Sequence, residues 1–159
     1  MTAPGDLPHL ARRFLASLRP APLSPEEQHR VAMLLGEEEA RLFWQQSAAD
    51  RRHGIDSLHR IGGESRPEVL RAALLHDIGK RHSALGPVGR SLATAFAWVG
   101  LARWRRARRY RNHGLLGAEE LAELGAEELV VAFARHHHGV RPAEIDAPTW
   151  KLLIAADHD

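Results

Sequence analysis

The sequence contains no cysteine. That excludes disulfides, thiolate metal ligands and a cysteine nucleophile. It fits a reducing compartment, and a cytoplasmic location is expected. Long apolar runs are missing too. The longest, "SLATAFAWVGLARW", falls short of the roughly 20 residues of a membrane-spanning helix and ends in arginine. The opening segment has no apolar run preceded by positive charge, so no signal peptide is expected. No stretch alternates with period 2 between hairpin turns, which argues against strands. Internal repeats and low-complexity tracts are absent. Net charge is only +2 with histidine neutral, so overall charge demands no polyanionic partner.

What is present is helical patterning and histidine. The 159 residues suit one compact domain, and the chain reads as an all-α, compact bundle of six or seven helices. "SPEEQHRVAMLLGEEEARLFWQQ" opens with Ser24 and Glu27 in capping-box spacing and Pro25 at the first helical position. Val31, Leu34, Leu35, Leu42 and Phe43 follow at helical spacing. "SAADRRHGIDSLHRIGG" starts with Ser47 and Asp50 and ends at paired glycines. "SRPEVLRAALLHD" has Ser65 as its expected cap. Further helices are expected from Pro87 into the arginine run, over "NHGLLGAEELAELG", over "AEELVVAFARHHHG" and over "APTWKLLIAADHD". Residues 1–46 read as an N-terminal helical extension packing on a core of residues 47–159. Within that extension, "LPHLARRFLASL" is expected as a short helix tied on by a Pro-rich linker.

One pair stands against the apolar pattern. In "RAALLHDIGKRHS", a buried-looking stripe runs straight into His76 and Asp77. Burying either group unpaired costs about 2–7 kcal/mol. On a regular helix two adjacent side chains point about 100° apart. They converge only at a helix end or a distortion, and Gly79 offers such an end. A divalent metal ion satisfies an imidazole and a carboxylate together. Further ligands are available at other helices: His53, His113, the run His136, His137 and His138, and Asp157.

The ordered set "RRHGIDS", "ALLHDIGK", "RNHGLLGAEEL", "ARHHHG" and "IAADHD" resembles the HD-domain superfamily of metal-dependent phosphohydrolases, over about residues 47 to 159. The resemblance implies His53, His76, Asp77 and Asp157 as core metal ligands. Two-metal members add two histidines, here His113 and one of the triple run. His137 is preferred, because it follows Phe133 by four residues and Val130 by seven and so shares their face. His136 and His138 are then expected to point aside.

The resemblance also implies one or two divalent ions, with manganese, iron(II), cobalt and magnesium all compatible. Asp77 would bridge them, and a metal-activated hydroxide would attack a nucleotide or other phosphate ester. Lys80 would reach a substrate phosphate. Asp77 and Lys80 are thus the expected catalytic residues. The chain departs from two better-known branches. It lacks the Glu-Asp pair that follows His-Asp in ppGpp hydrolases. It also lacks the Gly-Tyr-Pro signature of cyclic-di-GMP phosphodiesterases. A third branch uses the six-ligand set to hold two irons for oxygen chemistry, and a catalytically silent, metal-holding regulatory module is the remaining alternative.

Other histidines read as bystanders: His59 as surface or core filler, His82 as a solvated loop residue, and His9, His29 and His158 as exposed. Six arginines fall within residues 103 to 111. One reading is a solvated helix end with cations near its C-terminus. The other is an electropositive rim for an anionic substrate, because the run leads into His113. Nucleic acid or anionic lipid along Arg103 to Arg111 is the less favoured partner. The acidic residues Glu119, Glu120, Glu123, Glu127 and Glu128 read as an exposed face. With two residues after Asp157, no later helix is expected to cover the site. It would be open there, or covered by another subunit or the N-terminal segment.

Overall fold

A computed structural model describes residues 20–62, 65–83 and 109–158. The described residues form seven α-helices and one 3-10 helix, with no strand among them. In chain order these are α1 (Pro25–Leu34), α2 (Glu37–Trp44), α3 (Ala48–Ile61), α4 (Pro67–Leu75), the 3-10 helix η1 (Ile78–Ser83), α5 (His113–Glu123), α6 (Glu128–His136) and α7 (Ala147–His158). The all-α expectation holds. The helices expected over residues 7–18 and from Pro87 into the arginine run lie outside the described residues, as do His9 and four of the six clustered arginines. No helix among the described residues is long and apolar enough to cross a membrane.

Helix starts follow the local chemistry, with two corrections. Ser24 and Glu27 form the expected capping box in front of Pro25. However, the single helix expected from there to residue 46 is two. Leu35 turns extended (φ −100°, ψ 139°), and Gly36 caps α2 by donating its N–H to Glu39 Oε2 at 3.2 Å. Three glutamates then fill the first turn of α2, where the helix dipole favours them. The second correction is at α4. Arg66, not Ser65, is the cap residue, without a side-chain bond, and Pro67 opens the helix. Proline at that position has its φ already set and no N–H to satisfy.

Helix α4 is the centre of the bundle. It packs on α3, α6 and α7 and is touched by α1 and α2. Its own Leu74 and Leu75 are almost completely buried, as are Phe43, Ile55, Leu58 and Phe133 on the helices around it. Each is worth roughly 1.5–3 kcal/mol of burial. Helix α3 comes close because of Gly54: a Cβ there would stand 3.2 Å from the Leu74 carbonyl oxygen. Charged cross-links tie the outer helices to this core. Arg52 holds Glu27 at 2.5 Å. Arg71 on α4 holds Glu39 at 2.5 Å and also pairs with Glu127. The centre of the bundle therefore ends at residue 75, and the next two residues are His76 and Asp77.

Candidate metal centre

The α-helix stops where the pair begins. His76 is the C-cap of α4, still right-handed (φ −56°, ψ −31°). The chain then tightens, with the Lys80 N–H donating to the Asp77 carbonyl at 2.9 Å. This change of helix type brings both side chains to one point. Gly79 does not terminate the helix by a left-handed turn: among the described glycines only Gly62 and Gly125 have positive φ. Its role is close approach. A Cβ on Gly79 would lie 1.9 Å from the His113 carbonyl oxygen and 2.7 Å from the Gly117 nitrogen. Only glycine lets η1 touch α5, and that contact carries His113 to Asp77.

The structure gathers all six expected ligand residues. The Asp77 carboxylate stands in the middle, with its two oxygens facing different groups. Oδ2 faces His76 Nε2 at 3.5 Å and His53 Nε2 at 3.8 Å, with Asp157 Oδ1 2.9 Å from His53 and 3.1 Å from His76. Oδ1 faces His113 Nε2 at 3.3 Å and His137 Nε2 at 3.5 Å. Two metal-sized clusters result, sharing Asp77: His53 with His76, and His113 with His137 and His138. Lys80 also points inward and forms an ion pair with Asp77 Oδ2.

His138 was expected to point aside, and it does not. Its Nε2 lies 3.2 Å from His113 Nε2. The α6 helix ends at His136 and His137 is its C-cap, so the 100° step per residue no longer applies at position 138. The chain curls in the turn before Gly139 and returns the ring to the pocket. Gly139 after the histidine run was the available signal. His136 does face away from both clusters, and His137 lies on the face of Val130 and Phe133, all three buried.

Backbone carbonyls orient three of the rings. His76 Nδ1 donates to Ala73 O at 3.0 Å, His113 Nδ1 to Tyr110 O at 2.6 Å, and His137 Nδ1 to Ala134 O at 2.9 Å. A carbonyl only accepts, so Nδ1 carries the hydrogen. In the neutral ring, Nε2 then presents a lone pair inward, as a metal ligand must. Two of the inward atoms are left without a partner. His76 Nε2 and Asp77 Oδ1 are fully buried without a hydrogen-bond partner; Asp157 lies close to the former but out of line for a hydrogen bond. A bound cation would satisfy both, so the residues fit a metal ion.

Electrostatics prepare the same centre. Burial alone would raise Asp77's pKa, but the charges of Lys80 and His76 hold it well below the usual carboxylate range. Asp157 is likewise opposed by burial and held low by His53 and His76. Both acids are ionised at neutral pH. Burial lowers His137, and it pushes His138 down to about 4, with neighbouring His137 and His113 adding to the effect. For His76 burial is outweighed by Asp77 and Asp157, and its pKa is raised.

A family model described as HD domain matches residues 30–158. The chain belongs to the HD domain family. No curated protein and no solved structure matches it significantly. The match reaches back into α1, upstream of residue 47. In this HD domain the His-Asp motif is the end of the most enclosed helix, and its His/Asp groups could hold a metal ion.

The bystander readings mostly stand. His59 is half-exposed beside Glu27, and His29 and His158 are exposed. Two expectations change. His82 is not a free loop residue, since its Nε2 lies 2.7 Å from Glu120 Oε2. Glu120 is not on an exposed face, since Arg81 and His82 both bind it in a half-buried position.

Proposed function

We propose that this HD domain is a metal-dependent phosphohydrolase acting on a nucleotide or other phosphate ester. The observation that supports the reading is Asp77, whose two oxygens face two separate sets of histidines. His53, His76 and Asp157 would hold one divalent ion and His113, His137 and His138 the other, with Asp77 shared. Bound there, the pair would supply an activated water as nucleophile and neutralise charge on the phosphoryl group. Imidazole donors outnumber carboxylates, which favours a transition metal over magnesium.

The protein's own groups have separate tasks. The carbonyls of Ala73, Tyr110 and Ala134 fix the ring orientations before any substrate arrives. Burial keeps water away from Asp77 and strengthens every charge around it. Lys80 keeps its proton, because Asp77 outweighs the effect of burial on the ammonium. Turned from Asp77 toward a substrate, that ammonium would bind a phosphoryl oxygen.

The test is turnover of p-nitrophenyl phosphate and bis(p-nitrophenyl) phosphate by protein loaded anaerobically with Mn(II). Activity that disappears with a chelator and returns with metal is expected. An iron-loaded protein that consumes oxygen and cleaves neither ester would replace this reading with di-iron oxygen chemistry.

A further inference from the structure

We infer that Glu120, remote from the ligand set, is a positioning residue for the histidine side of the metal centre. This rests on the two-ion reading above. The grounds lie in a seam between η1 and α5. His113, Gly117 and Glu120 fall at i, i+4 and i+7 of α5, so they share one face. Each meets the segment that begins at the His-Asp motif, in matching order. His113 Nε2 faces Asp77 at 3.3 Å. Gly117 meets Gly79, its added Cβ falling 3.0 Å from the Gly79 nitrogen. Glu120 receives Arg81 and His82: Arg81 Nη1 donates to Oε2 at 2.7 Å, Arg81 Nη2 donates to Oε1, and His82 Nε2 lies 2.7 Å from Oε2.

The glycine contact sets how near the two elements come, but it carries no directional bond between side chains. A backbone-to-backbone contact of this kind can slide. The far end of the seam stops that. Arg81 grips Glu120 through both guanidinium nitrogens and returns Nη1 to its own Ile78 carbonyl at 2.9 Å. A two-pronged pair of this geometry fixes orientation as well as distance. It is also sheltered, with the Arg81 side chain only 12% exposed, so solvent screens it less than a surface pair. Sliding at Glu120 would shift His113 relative to Asp77 Oδ1. The other ion's residues, His53, His76 and Asp157, sit on α3, the end of α4 and α7, and do not use this seam. Loss of the pair should therefore weaken one ion and spare the other.

The experiment is anaerobic Mn(II) titration followed by electron paramagnetic resonance, which counts free against bound ion and distinguishes an isolated ion from a coupled pair. Wild type, Glu120→Gln and Arg81→Met are compared, with helicity checked by circular dichroism. The expected result is two ions in wild type. In both variants the first binds as before, the second is weakened roughly 10–100-fold, and the coupled-pair signal is lost. The two variants remove the same pair from opposite sides, so either one that folds decides. Variants that bind both ions with wild-type affinity overturn the role of Glu120 alone. Wild-type protein that binds no second Mn(II) overturns the two-ion reading and this inference with it.

Discussion

The Nε2 atoms of His113 and His137 lie 3.2 Å apart, while each ring donates its other nitrogen to a backbone carbonyl. As neutral rings they aim lone pairs at each other, and burial favours the neutral form of His137. A proton or a metal ion must stand between them. Metal should therefore stabilise the folded chain. At Mn(II) one hundred times its dissociation constant, the gain is about 2.7 kcal/mol. That corresponds to a rise in melting temperature of roughly 5–10 °C for a domain of this size. Thermal unfolding with and without chelator measures it, and an unchanged midpoint would mean that no ion binds.

Asp77→Asn keeps the shape of the side chain and removes the charge that both ion positions share. The expected outcome is loss of bound metal and at least ~10²-fold loss of phosphate-ester turnover. Helicity should survive, because the apolar packing around α4 does not involve Asp77. Elemental analysis beside circular dichroism checks this. Full metal content in the variant would remove Asp77 from the centre.

Acid should destabilise the metal-free protein before ordinary carboxylates titrate. His138 has a folded pKa of about 4 against 6.5 when free. Its folded pKa is the lower one, so its contribution is complete above about 6.5 and lost as pH falls toward 4. His137 has the same sign. His76 has the opposite sign, its contribution being present below 6.5 and lost as pH rises through its raised folded pKa. Melting temperature against pH, for metal-free wild type and His138→Phe, isolates His138. The variant should fall less steeply between pH 6.5 and 4, and identical curves would mean that His138 is not the group titrating in this window.

Gly79→Ala places a methyl 1.9 Å from the His113 carbonyl. Backbone cannot yield as a flexible side chain can, so η1 and α5 must part. Destabilisation on the order of 3 kcal/mol is expected, together with loss of the ion on the His113 side. Gly62→Ala is the useful contrast. Nothing lies within 4 Å of its added Cβ, and its φ of 84° makes the cost one of local strain. It should lower stability without changing metal stoichiometry. Urea unfolding and metal content of the two variants separate the cases.

Much of this protein could be read from its chain because the governing interactions are local. Helix starts follow from Ser24, Glu27 and Ser47, and helix stops from Gly62 and Gly125, since caps act over a few residues. The pair His76–Asp77 stands out in an apolar stripe because buried polar groups need partners. The preference for His137 follows from helical period alone, as it continues the face of Val130 and Phe133.

Tertiary structure decided what depends on where helices end and meet. Leu35 leaves the helix despite its periodic place and still packs into the core. His138 enters the site because helical period fails past a C-cap. Gly79 serves as a contact and not as a stop, which only the position of α5 reveals. Glu120 looks like one more surface glutamate until Arg81 and His82 close on it from 39 and 38 residues away. Periodicity assigns a side chain to a face of its own helix, but only the packing of two helices determines what that face meets.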